Sequence, residues 1–522
     1  MRVPSFAPHE GIVWKFLLVA LLVFAGAAVG CGGGSTKAPT VVTVLPRGAS
    51  IIAGHSLTLN AMVSDGSSVN WSVSGGGMLD IPIGNTVVYT APLSVSSNTN
   101  TIVTATTASG ASGYISLTIL PDQNTFPNVQ PVTVNGGPIV GKIYPNAAFT
   151  SITICTPGTT TCNTIDGILV DTASIGLRVL ASALPSLPAL KDDQGNNINE
   201  CAQFVDQSYV WGQVAFADVK ISGEVANSLP IQVIADPSGF AIPSACSNSG
   251  SGKNKDTQET LGANGILGIG LEPQDCGVLC VQPTGGGTPP SPAYYSCSGS
   301  SCNPAFVALE QQVTHPVIRF AKDNNGWWLQ LQPLTGATTA LTGSLIFGIQ
   351  TQPNNAFVNA TVFTLNIRDH FTVNLPNTGQ SLSESFIDSG LNGLFFPDGN
   401  LAVCSGSNAA FFCPASSTSL SAVNVGANNA QSTINFIVDN ADQLFSSNPS
   451  AAAFSTLAGP NGSGACSGGS GACSFVWGLP FFYGRSVIGS INGQTLPQGE
   501  SPGIPNLPPA PWWAYTTGFS GH

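Results

Sequence analysis

One pattern occurs twice in this chain and limits what it can fold into. The first copy is Ile168-Leu169-Val170-Asp171-Thr172-Ala173-Ser174-Ile175-Gly176-Leu177-Arg178-Val179. The second is Ser385-Phe386-Ile387-Asp388-Ser389-Gly390-Leu391-Asn392-Gly393-Leu394-Phe395-Phe396. Both read apolar, apolar, Asp, hydroxyl, small, two variable positions, Gly, Leu. The two aspartates are 217 positions apart. Each copy is followed by an apolar pair and a glycine: Ile266-Leu267-Gly268, starting 95 residues after Asp171, and Val476-Trp477-Gly478, starting 88 after Asp388. A pattern that returns in the same order implies two homologous halves. The chain of 522 residues is too long for a single core and accommodates them.

The secondary structure expected around these copies is strand. Only 8% of residues are charged, and 60 Gly and 38 Pro punctuate short runs rich in Val, Ile, Thr and aromatics. That mixture suits strands joined by tight turns. Between residues 39 and 120 the alternation is plain, as in Val69-Asn70-Trp71-Ser72-Val73 and Tyr114-Ile115-Ser116-Leu117-Thr118-Ile119, and predicts a β-sandwich. Pro121-Asp122-Gln123-Asn124 reads as a linker. The halves are expected at 125–330 and 331–522. Pro304–Gln312, a stretch without glycine, is the best candidate for a helix. Residues 272–303 read as a disulfide-pinned loop, and Asp166-Gly167 as a hairpin turn.

The N-terminus has the form of an export signal. Arg2 and Lys15 precede a run from Phe16 to Ala28 that is too short to span a bilayer comfortably. It ends in Ala28-Val29-Gly30-Cys31, which resembles a bacterial lipoprotein cleavage site. Residues 1–30 would then be removed, Cys31 would carry lipid, and 31–38 would form a tether. Ordinary secretion is the alternative. The chain has 13 cysteines, and setting Cys31 aside leaves an even number, as an oxidising compartment favours. Cys155 with Cys162, Cys404 with Cys413, and Cys466 with Cys473 are close enough to close small loops at little entropic cost. Pairing among Cys276, Cys280, Cys297 and Cys302 stays open.

Taken together, the motifs resemble those of pepsin-like aspartic proteases, in which Asp-Thr/Ser-Gly follows an apolar strand once per lobe. Asn264-Gly265-Ile266-Leu267-Gly268-Ile269-Gly270, Gly343-Ser344-Leu345-Ile346-Phe347-Gly348 and the segment Phe475–Arg485 are similar to later landmarks of that family. Residues 125 to about 520 thus look like a bacterial lipoprotein family of unknown function carrying this pattern. The sandwich, with Trp71 as its core aromatic, resembles bacterial immunoglobulin-like repeats. The resemblance implies an all-β chain: an immunoglobulin-like sandwich followed by a bilobal, pepsin-like double β-barrel.

It also implies roles. Asp171 and Asp388 would form the catalytic dyad, sharing one proton because like charges a few ångströms apart resist joint ionisation. Thr172, Ala173, Ser174, Ser389 and Gly390 would support them. Tyr209 and Trp211 are the flap candidates, with Cys201 and Cys246 placed to brace that segment. Two positions depart from the family: Ala173 stands for Gly, and Leu391 for the Ser or Thr that bonds the second carboxylate. The alternative function is therefore a lapsed enzyme that binds peptide or glycan at the surface. A peptide or protein substrate, a membrane contact through the lipid, and a monomer are expected.

Other classes are excluded. A net charge of −12 with only 14 Lys and Arg opposes nucleic-acid binding. No Cys-x-x-Cys pair exists, and the histidines are scattered, so neither a metal nor any other cofactor is expected. Gly250-Ser251-Gly252-Lys253-Asn254 lacks the first Gly and the final Ser or Thr of a phosphate-binding loop. The expected location is the bacterial cell envelope, with the outer membrane favoured, or the medium. Growth with a radioactive fatty acid is expected to label the protein, and Cys31→Ala is expected to abolish the label; persistent labelling of that variant would refute the anchor.

Overall fold

The structure is a computed structural model that describes residues 39–120 and 126–516, except 54–55, 93–94, 96–97, 205, 236–238, 335, 358–359, 462–473 and 499–505. Cys31, Cys466 and Cys473, and with them the expected signal, tether and third small loop, lie outside the described residues. The described chain is all-β apart from a few short helical turns and divides into two units.

The first unit has eight strands: β1 (Val42–Leu45), β2 (Ala49–Ile52), β3 (Ser56–Val63), β4 (Val69–Ser74), β5 (Met78–Leu79), β6 (Thr86–Thr90), β7 (Thr99–Thr107) and β8 (Ser112–Leu120). They form two four-stranded sheets, ordered β1-β3-β6-β5 and β2-β8-β7-β4. Strand alternation sends one face of each inward. Leu59, Val87 and Tyr89 from one sheet meet Trp71, Val103, Ile115 and Leu117 from the other in one buried cluster. The Trp71 indole N–H donates to Gly84 O at 2.7 Å, so its polar edge is satisfied inside the core.

The second unit opens with β9 (Val129–Val134), β10 (Ala148–Cys155), β11 (Cys162–Asp171), β12 (Ile175–Leu180), β13 (Asn197–Gln203), β14 (Tyr209–Ile221), β15 (Glu224–Ile234) and β16 (Gly265–Ile269). It continues with β17 (Tyr294–Ser298), β18 (Ser301–Pro304), β19 (Gly326–Leu331), β20 (Ala337–Thr338), β21 (Leu341–Phe347), β22 (Thr361–Thr364), β23 (Phe371–Leu375) and β24 (Gln380–Ile387). The last strands are β25 (Leu394–Phe396), β26 (Thr418–Val425), β27 (Gln431–Val438), β28 (Ala453–Phe454), β29 (Ala458–Pro460), β30 (Val476–Trp477), β31 (Ser486–Ser490) and β32 (Trp512–Tyr515). A 15-stranded sheet runs β18-β17-β13-β14-β15-β12-β16-β11-β10-β9-β21-β19-β31-β32-β22, and a seven-stranded one runs β27-β26-β23-β24-β30-β25-β29. Position 330/331, the expected boundary between halves, falls inside β19.

The duplicated sequence folds the same way twice. After Asp171 the chain turns and returns as β12, and β16 inserts between β11 and β12, parallel to the first and antiparallel to the second. After Asp388 it returns as β25, and β30 inserts between β24 and β25 with the same two directions. A further parallel partner flanks each group, β15 beside β12 and β29 beside β25. The two glycines that end the later motifs make the insertion possible. A Cβ on Gly268 would lie 2.7 Å from Ile175 N, and one on Gly478 would lie 2.1 Å from Gly393 O.

Five disulfides form among the described residues. Cys155–Cys162 and Cys404–Cys413 are two of the small loops anticipated from spacing. Cys276–Cys280, Cys297–Cys302 and Cys201–Cys246 complete the set and resolve the open group of four. Two local expectations fail. Pro304–Gln312 is not a helix: Pro304 ends β18, and only a 3-10 turn at Leu309–Gln311 follows. Asp166-Gly167 is not a hairpin turn: it lies within β11, where the register against β10 slips by one residue and Gly167 takes φ 65°. Gly478→Ala is expected to destabilise the fold by about 3 kcal/mol or more, because the added methyl meets backbone that cannot move aside. A denaturant titration that left the midpoint unchanged would contradict this close approach.

Candidate active site

Asp171 ends β11, and Asp388 immediately follows β24. Both are almost completely buried, at 1% and 0% exposure. The residues next to them tie the two loops together. Thr172 N–H donates to Ser389 Oγ at 3.1 Å, and Ser389 N–H donates to Thr172 Oγ1 at 2.9 Å. Each hydroxyl then donates across to the carbonyl that precedes the opposite aspartate: Thr172 Oγ1 to Ile387 O at 3.2 Å and Ser389 Oγ to Val170 O at 2.8 Å. Four reciprocal bonds, each worth about 1 kcal/mol net, fix the loops relative to one another.

The carboxyl groups come together against one glycine. A Cβ built on Gly390 would stand 2.9 Å from Asp171 Cγ and 3.0 Å from Asp388 Oδ1. Ala173, at the matching position of the first loop, is only half-buried, which is why a methyl is tolerated there. Asp171 is fully provided with donors: Ala173 N–H reaches Oδ1 at 2.9 Å, and Ser174 Oγ reaches Oδ2 at 2.6 Å. Asp388 is not. Gly390 N–H donates to its Oδ1 at 2.8 Å, but Oδ2 is buried without a partner. The residue corresponding to Ser174 is Leu391, whose apolar side chain supplies no donor. Burial pushes the Asp388 carboxyl well above its usual range, and the neighbouring Asp171 charge adds to the effect. Burial and the adjacent carboxyl thus both favour the protonated form of Asp388.

The flap candidates lie differently from the expectation. Tyr209 and Trp211 are on the hairpin formed by β13 and β14, but both are buried in a side cluster with Cys201, Cys246, Tyr295 and Cys297. Trp211 packs edge-on against Tyr295, with centroids 5.4 Å apart. Alternation along the strand gives the other face to Val210. Val210 and Phe204, rather than Tyr209 and Trp211, thus share a buried cluster with Leu391, Phe395 and Val476.

Asn146 is a site residue that sequence reasoning missed. Its Nδ2 donates to Asn392 O and Phe454 O, each at 2.8 Å, and its Oδ1 accepts from Phe454 N and Tyr483 Oη, each at 2.7 Å. It thereby braces the end of the Asp388–Asn392 loop from the turn that precedes β10. No spacing rule singles out an isolated asparagine; its φ of 52° is visible only in the fold. The buried Arg178 was also overlooked, although the duplicated motif contains it. Among the described residues the only metal-like grouping is Cys404, Cys413 and Asp442, and its two cysteines are already joined in a disulfide.

Asp388 also makes stability depend on pH. Its folded-state pKa is raised above the unfolded value of about 3.9, so its contribution is fully present below that value and is lost as pH rises through the folded pKa. Asp388→Asn removes that loss. The variant is expected to melt higher than the natural protein at pH 7, by about 1.4 kcal/mol for each unit of upward shift, and to converge with it toward pH 3. Equal melting temperatures at pH 7 would contradict the buried acid pair.

Residues 124–515 match a family described as protein of unknown function (DUF3443), and the chain belongs to that family. No curated protein matches the chain.

Proposed function

We propose that this member of the DUF3443 family has a pepsin-like, two-lobed catalytic unit and hydrolyses peptide bonds through Asp171 and Asp388. The reciprocal bonding of Thr172 and Ser389, which holds two carboxyl groups against Gly390, is the observation that carries the reading. A water held between the carboxyl groups gives a proton to the Asp171 carboxylate as its oxygen attacks the scissile carbonyl carbon. The proton on Asp388 passes to the carbonyl oxygen. The tetrahedral diol then collapses: its C–N bond breaks, the amine nitrogen takes a proton from Asp171, and a hydroxyl proton returns to Asp388. One water is consumed, one acid and one amine leave, and no cofactor enters. The protein works as a monomer on peptide or protein substrates at the bacterial cell envelope, held by lipid on Cys31, with the immunoglobulin-like unit as a spacer.

A second reading is a lapsed enzyme that retains the fold to bind peptide or glycan. The specific observation in its favour is the buried Asp388 Oδ2 with no donor, where Leu391 stands in place of a hydroxyl. Binding of a pepstatin-type inhibitor and cleavage of a denatured protein between pH 3 and 8 separate the two. Asp171→Asn and Asp388→Asn are each expected to abolish cleavage to a similar degree, since the carboxyl groups act as one unit. Leu391→Ser is expected to raise turnover by at most ~10- to 100-fold, the equivalent of one charged hydrogen bond. It would do so at a packing cost of about 2–4 kcal/mol in stability. Absence of both cleavage and inhibitor binding across that pH range would favour the lapsed enzyme.

A further inference from the structure

A second group of acids lies beside the first aspartate loop, and the mechanism above does not use it. Arg178 of β12 is 4% exposed and Glu200 of β13 is 2% exposed. Arg178 Nη2 donates to Glu200 Oε1 at 2.6 Å and to Asp275 Oδ2 at 3.1 Å. Its Nη1 donates to Ile175 O at 2.5 Å, one residue beyond the Ser174 that bonds Asp171. Tyr294 of β17 donates its hydroxyl proton to Asp275 Oδ1 at 2.6 Å and accepts Val313 N–H at 2.8 Å. Gln232 of β15 adds an amide bond to Glu200 O at 2.8 Å. These are the charged and titratable groups facing Asp275: Arg178, Glu200 and Tyr294.

The network joins Tyr294 of β17 to three other pieces of chain. β12 leaves the Asp171 loop, β13 is the first strand of the hairpin that carries Phe204 and Val210, and Asp275 lies six residues beyond the end of β16. One guanidinium cannot neutralise two carboxylates. The group is neutral only when Asp275 holds a proton, and an uncompensated buried charge is costly. We propose that Arg178, Glu200, Asp275 and Tyr294 form a proton-dependent latch that positions the β13–β14 hairpin and the Asp171 loop, and that loses its hold as the pH rises. Arg178 is the positioning residue of this latch.

The electrostatics agree in sign. Burial raises the Asp275 carboxyl well above its usual range, and the Glu200 charge raises it further. A group raised in the folded state gives stability at low pH that is lost as pH climbs through the folded pKa. Above it the network carries a net negative charge that Arg178 alone does not offset. The hairpin is held elsewhere by the Cys201–Cys246 disulfide and by Gln203 Nε2, which donates to Ala245 O and Cys246 O, so loosening is local. For an acid-working dyad, this latch would set the alkaline limit of the site.

The consequence for catalysis rests on the aspartic-protease reading, but the test does not. Amide hydrogen exchange of the full chain, corrected for intrinsic rates, is followed from pH 5 to pH 9. Protection across 197–214 is expected to fall by up to ~10-fold per unit that the pH exceeds the Asp275 pKa, while β19 and β21 keep theirs. Asp275→Asn, which leaves a neutral Arg178–Glu200 pair at every pH, is expected to flatten the fall. Tyr294→Phe removes a bond that lowers the Asp275 pKa, so the fall should move to higher pH; a purely structural loss would weaken protection equally at every pH. If Asp275→Asn fails to fold, the direction of the Tyr294→Phe shift decides. Protection of 197–214 that is independent of pH in the natural protein, or an unshifted fall in Tyr294→Phe, overturns the latch.

Discussion

Two carboxyl groups packed against one glycine would push apart if both were ionised, and the organisation of the second unit answers to that repulsion. The four bonds between Thr172 and Ser389 hold the loops, yet hydroxyls and amides alone do not cancel a charge. A proton does, and burial together with the adjacent Asp171 charge favours it on Asp388. The same economy is repeated a short distance away, where Arg178 faces two acids and a proton again balances the charge. At both of these places a proton, instead of a second cation, offsets the buried charge.

Much of this was legible in the sequence because duplication supplies its own control. Comparing Ala173-Ser174 with Gly390-Leu391 identifies the missing donor without any coordinates. The later apolar-apolar-Gly segments were legible for the same reason, and the structure gives the cause: each glycine sits where an inserted strand passes backbone against backbone. Short cysteine spacings fixed two of the described loops, since a chain bends back on itself locally whatever the global fold.

What stayed hidden depends on faces and on long-range partners. Tyr209 and Trp211 are the large aromatics that the resemblance places on a flap facing Asp171. Strand alternation gave that face to Val210, and only the sheet's position tells which face is which. The absence of glycine between Pro304 and Gln312 suggested a helix, but Pro304 completes a disulfide-closed hairpin that tertiary pairing imposes. Asn146 carries no local signal, and the acidic partners of Arg178 are drawn from remote parts of the chain.

The disulfides bear on how the protein reaches this state. Four of the five described pairs join cysteines 4, 5, 7 and 9 residues apart, and only Cys201–Cys246 spans a longer stretch, of 45. Neighbours that close meet far more often than distant thiols, so correct partners find each other before competitors do. Oxidation can proceed in the order in which the chain emerges, with little reshuffling. The folding of a long polypeptide with many thiols is thereby separated from the slow search that such a cysteine count would otherwise impose.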